Sequence, residues 1–179
     1  MERSPILDGQ GRWTQQAVQQ RYYQYCHAFG VTPRKLTSIP DYISERGWIT
    51  HLMEALIEGM KQGDLASAEV GIELIEEDGG FAFGRILKSN TARALLRCDL
   101  TEAHRERIRK RVIGMLRRGF MPGEFRDYAR LLRRIGLGLQ GKESLREVDL
   151  TSPWSAGYVR YLTSENPGPK PERRRYSGQ

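Results

Sequence analysis

Gly136, Gly138 and Gly141 in the string IGLGLQGKES spell G-x-G-x-x-G, and Gly136 through Lys142 nearly spell a P-loop. Phosphate binding is therefore the first chemistry to weigh. Either motif works only where a strand precedes the glycines and a helix opens behind them, so that backbone N–H groups point at the phosphate. Here the apolar spacing before Gly136 is helical, and Glu143 stands where a P-loop has its magnesium-binding hydroxyl. A connecting loop through Gly138 and Gly141 is expected instead. Metal chemistry lacks parts: His27, His51 and His104 are dispersed, and Cys26 and Cys98 are far apart. His51 and Glu54 make a single H-x-x-E, whereas a helical di-metal site needs two E-x-x-H pairs and two further glutamates. Cys26 and His27 would point about 100° apart on a helix, which is no nucleophile and base. Glu69, Glu73 and Glu76 share a helix face, as a solvated stripe would. No catalytic residue, metal site or cofactor is expected, and the chain does not read as an enzyme.

The arginines carry the stronger signal. On the helix expected after Thr101, Arg107, Arg111 and Arg118 fall within about 40° of one another at roughly 100° per residue. Arg105 and Arg109 flank the other side of the apolar face, and Arg126, Arg130 and Arg133 line up on the next helix. Arginine suits bidentate phosphate or carboxylate contacts. Glu102 with Arg105 and Glu106 with Lys110 have ordinary helix-surface spacing, and such pairs would leave most of the stripe uncovered.

Charge distribution points the same way. Net charge over 179 residues is +7, but residues 64–79 hold six acids and no base, whereas residues 80–136 hold fifteen Lys/Arg against five Asp/Glu. Such asymmetry favours an acidic or polyanionic partner for one surface.

The elements that would position these residues are helical almost throughout. Val18, Tyr22, Tyr25, Cys26 and Phe29 recur at threes and fours and stop at Gly30. Ser38 and Pro40 open a short turn that Gly47 is expected to close. Ile49, Leu52, Met53, Leu56, Ile57 and Met60 form a wide stripe ending at Gly63, and Asp64 caps a helix with Leu65, Ala68, Ile72 and Ile75 inward, which Gly79-Gly80 stops. Another is expected through Phe83, Ile86, Leu87, Ala94 and Leu95, with Ser89-Asn90-Thr91 as a break. Thr101 and Ser152-Pro153 open later helices. Period-two alternation is absent, so little or no strand is expected. No apolar run approaches the ~18–20 residues needed to cross a bilayer, the N-terminus lacks a signal-peptide stretch, and two cysteines make no disulfide framework. A cytoplasmic protein without a membrane contact is expected.

Residues 55–79 and 111–136 share one layout: an amphipathic helix ending in Gly63 or Gly119, a short turn, then a helix closing on two aliphatics, two charges and glycine. That layout, across residues 48–136, resembles HEAT-type helical repeats and implies stacked antiparallel helix pairs. The reading that follows is all-α, antiparallel helical hairpins stacked as a short solenoid or an irregular bundle. Residues 1–165 are expected as one helical domain and 166–179 as a disordered, basic, proline-containing tail. The expected function is non-catalytic binding, with Arg105, Arg107, Arg109, Arg111, Arg118, Arg126, Arg130 and Arg133 docking a nucleic-acid backbone. The alternative is an adaptor that binds an acidic protein surface or its own copy.

Overall fold

The computed structural model describes residues 11–36, 45–77 and 85–165. Among them there are eight α-helices and no strand. The chain divides into two compact units, residues 1–104 and 105–179. The expected turn at Ser38 and Pro40, the stop at Gly79-Gly80 and the tail 166–179 lie outside the described residues.

The first unit holds a 3-10 turn (Gly11–Trp13), α1 (Gln15–Phe29), α2 (Glu45–Lys61), α3 (Leu65–Glu76) and α4 (Arg85–Leu95), and it ends in the first turn of α5 (Glu102–Arg117). Local chemistry starts and stops these helices. The Thr14 hydroxyl accepts the Ala17 N–H, and the Asp64 carboxylate accepts the N–H groups of Ala66 and Ser67, each filling orphan donors of a first turn. Gly63, at φ 83°, ends α2 in the left-handed region, where the Asp64 N–H returns to the Gly59 carbonyl at 3.0 Å.

Helix α3 packs against α1, α2 and α4, and every residue from Ala66 to Ile75 is buried. Small residues make this possible. A Cβ on Gly59 would stand 2.4 Å from the Ser67 Oγ, and one on Gly71 would stand 2.4 Å from the Met60 Cε and 3.1 Å from the Thr91 Cγ2. Gly71→Ala would gain roughly 1 kcal/mol of helix propensity. The clash falls on the terminal methyl of Met60, a flexible group but one that is fully buried and must repack to make way. Overpacking of about 1–3 kcal/mol should win, giving a net loss of about 1 kcal/mol in a urea titration.

Two expectations change here. Gly47 closes no turn but lies inside α2. Ser89-Asn90-Thr91 is no break: Thr91 is buried and its hydroxyl donates to the Leu87 carbonyl at 3.0 Å, so its polar group is satisfied within a continuous α4. Of the residues named on that helix, Leu87, Ala94 and Leu95 are buried and Ile86 is 79% exposed.

The second unit continues α5 and adds α6 (Phe125–Ile135), α7 (Gly138–Leu145) and α8 (Pro153–Thr163). Gly119, at φ 66°, ends α5 as Gly63 ends α2, with the Phe120 N–H on the Met115 carbonyl at 3.0 Å. Phe125 of α6 meets Tyr158 of α8 edge to face at 4.8 Å. Gly141 of α7 lets that helix close on α5, since a Cβ there would be 3.0 Å from the Ile113 Cδ1. The expected loop through Gly138 and Gly141 is therefore a two-turn helix, and helix α6, not a strand, precedes its glycines. That arrangement is neither a dinucleotide fingerprint nor a P-loop.

Candidate functional site

The eight arginines expected to form one cationic face do not form it. Arg109 is 7% exposed, and its guanidinium donates to the Gly136 carbonyl at 2.7 Å and the Ile135 carbonyl at 3.2 Å, satisfying the end of α6. Arg133 donates to the Tyr161 and Ser164 carbonyls at the end of α8 and stacks on the Tyr161 ring at 4.9 Å. Arg130 lies 3.6 Å from Asp127, and Arg126 is half-buried. Arg105, Arg107 and Arg111 are half-buried and each is already engaged, so none is a free cation. Arg118 alone of the eight is exposed. An arginine beside an apolar stripe lays its long stem over that stripe and spends its five donors on nearby carbonyls.

Other cations of the second unit face solvent: Lys110, Arg117, Arg134, Lys142, Arg146 and Arg160. Lys110 and Arg117, seven residues apart, share one face of α5. With Arg109 they line one wall of a groove of about 540 Å³ between α5 and α7. Glu143 and Glu147, from α7 and the turn after it, stand on the other wall, and Glu106 adds a third carboxylate. Glu106 lies 3.3 Å from Arg109 and not on Lys110. Arg117 pairs with Glu147, both side chains being about half exposed to water. Sequence reading missed Lys110 and Arg117 because it took the residues flanking the apolar face. The signal was their seven-residue spacing a third of a turn away.

A second polar cluster lies wholly in the first unit. Glu69 and Glu73, expected on a solvated face, are 7% and 6% exposed. Glu73 receives Arg12 at 2.8 Å, the Tyr25 hydroxyl at 2.6 Å and Arg21, while Glu77 receives Arg12 at 2.7 Å and the Trp13 indole at 2.6 Å. Arg21 also stacks on Trp13 at 4.7 Å. Glu69 lies 2.9 Å from the His104 Nε2, and the His104 Nδ1 accepts the Thr101 N–H at 3.4 Å. Part of the charge of the acidic helix is thus met by Arg12 and Arg21 of the same unit, while His104 hydrogen-bonds Glu69. Burial, aided by Glu73, pushes the Tyr25 hydroxyl up to about 12. Every polar group in this cluster is spent on another, which suits a structural clamp.

Among the described residues no group of three His, Cys, Asp or Glu is placed to hold a metal ion, and no helix is long and apolar enough to cross a membrane. His51 and Glu54 are an exposed pair 3.7 Å apart. Cys26 is buried, and burial pushes its thiol up, the opposite of an activated nucleophile.

No protein-family model matches this chain, and no curated protein or solved structure shows significant similarity to it.

Proposed function

We propose that the second unit is a non-catalytic module that docks a nucleic-acid backbone on its exposed cations. One observation carries the reading. Residues 105–179 hold eighteen Lys/Arg against eight Asp/Glu, net +10, whereas residues 1–104 hold eleven against fourteen, net −3. Within the second unit, the described residues 105–165 carry fourteen Lys/Arg against seven Asp/Glu, and the field of such a positive excess attracts a polyanion and speeds its capture. The half-buried arginines contribute charge to that field, while Lys110, Arg117 and Arg118 offer donors at the surface. Contacts of this kind position a backbone and read little sequence.

The test is fluorescence anisotropy of labelled oligonucleotides over a salt series. The reading expects micromolar or tighter binding whose log–log salt slope flattens by roughly 0.7–0.9 for each phosphate contact removed. Reversing Lys110, Arg117 and Arg118 together to Glu should abolish binding with helicity unchanged, because all three are exposed. Unaltered affinity in that variant would overturn the proposal.

A second reading has its own observation. On α1, Gln16, Gln20, Tyr23, Gln24 and His27 are exposed at helical spacing with no Lys, Arg, Asp or Glu among them. Depletion of charge with an aromatic present is what the core of a protein interface shows. It fits an adaptor of HEAT-like helix pairs that binds a protein surface or a second copy. Such a contact would change little with salt, unlike phosphate binding.

A further inference from the structure

The groove between α5 and α7 carries its cations, Arg109, Lys110 and Arg117, on the α5 side together with Glu106. The side of α7 and its following turn carries only carboxylates, Glu143 and Glu147, an asymmetry that bears on which nucleic acid the second unit accepts. Lys110 and Arg117 project from α5, Glu143 and Glu147 face them, and Gln140 lies on the same side as the acids. Ile113, Gly114 and Gly141 also line the groove. At Gly114 a Cβ would meet only the Arg118 Nη1, at 3.4 Å, so the backbone of α5 is open to a ligand there.

A duplex carries two backbones, each a dense row of phosphates. One laid over this groove would set one row on the cationic wall and bring the other toward two exposed carboxylates, a like-charge juxtaposition. A single strand has one backbone, and its base edges are unpaired. Exocyclic amino groups of cytosine and adenine are donors that Glu143, Glu147 and the Gln140 carbonyl oxygen can accept. We propose that this groove selects single-stranded nucleic acid, with phosphates along Lys110 and Arg117 and base edges toward Glu143 and Glu147. Glu147 has a second part in this arrangement. Paired with Arg117 in the empty groove, it is the counter-ion that an incoming phosphate displaces, leaving the carboxylate to accept from a base. The inference rests on the nucleic-acid reading above and adds the substrate class.

The experiment compares anisotropy titrations of one sequence, single-stranded and as its duplex, at low and moderate salt. The proteins are the full chain, Glu143→Gln/Glu147→Gln, and two single variants with equal charge change, Glu147→Gln and Glu165→Gln. Glu165 is exposed and does not line the groove. The full chain should prefer the single strand about tenfold. Glu143→Gln/Glu147→Gln should narrow that preference roughly three- to fivefold by gaining duplex affinity, an effect that fades as salt rises. Glu147→Gln should reproduce part of it and Glu165→Gln none. Equal affinity for both forms in the full chain, or a preference that survives the double substitution, would overturn the groove assignment while the nucleic-acid reading stands. Binding of neither form by any variant would overturn both.

Discussion

Replacing Glu73 with alanine should destabilise the protein by about 3–5 kcal/mol, the cost of removing one partner from a buried ion pair. Its carboxylate is the single acceptor on which Arg12, Arg21 and the Tyr25 hydroxyl converge. The Arg21 side chain is itself mostly buried, so without Glu73 it loses its counter-charge where water cannot fully replace it. The segment Arg12-Trp13 should loosen with it, since Arg21 also donates to the Arg12 carbonyl at 2.6 Å. Urea titration followed by far-UV circular dichroism gives the loss, and Trp13 fluorescence reports the release. Two comparisons separate charge from shape. Glu73→Gln keeps one acceptor and should cost about half as much, and Arg21→Met with Glu73→Leu should recover much of the loss by removing both charges. Alanine with an unchanged midpoint would mean that the cluster is a surface feature and not a clamp.

Alkaline unfolding should be unusually steep. Tyr22, Tyr25, Tyr158 and both cysteines have their acid groups raised, in each case first by burial. Tyr25 reaches about 12 from 10.0 and Cys98 about 11 from 9.0. Each folded-state value lies above its unfolded one, so each group contributes stability that is fully present below the unfolded value. That contribution is lost as pH rises through the window, about 9 to 11 for Cys98 and about 10 to 12 for Tyr25. Within its window each group costs at most about 1.4 kcal/mol per pH unit, and less at Tyr25 and Cys98, where water still screens the charge, so a loss of about 2 kcal/mol or more should accumulate between pH 9 and 12. Urea midpoints at half-unit steps measure the slope. Tyr25→Phe should flatten it by about one group and lose the 2.6 Å bond to Glu73. A flat midpoint from pH 8 to 11 would contradict the burial assigned to these hydroxyls and thiols.

Much of the fold was legible residue by residue. Asp64, Thr101 and Ser152 cap the helices that their positions announce, and Gly30, Gly63 and Gly119 end theirs with positive φ. These signals read well because capping and left-handed turns involve atoms within a few residues of each other. The all-helical class follows from apolar spacing on the same short range. Glycines proved less reliable where neighbours supplied support: Gly47 sits within α2, and Gly138 and Gly141 within α7.

The charged residues divide what the sequence determined from what tertiary structure decided. Most of the helices, most of their ends and the concentration of positive charge after residue 104 followed from sequence alone, because these depend on local geometry and on counting. Which charges meet water depended on chain segments far away in sequence. A helical stripe of Glu69, Glu73 and Glu76 looks solvated if only one face has neighbours. Helix α3 has neighbours on three sides, and the groups that make its burial tolerable, Arg12, Arg21, Tyr25 and His104, come from elsewhere in the first unit. Arginine has the complementary ambiguity. Its long apolar stem and five donors let Arg109 and Arg133 bind helix ends as readily as a ligand, and only packing decides which of the two they do.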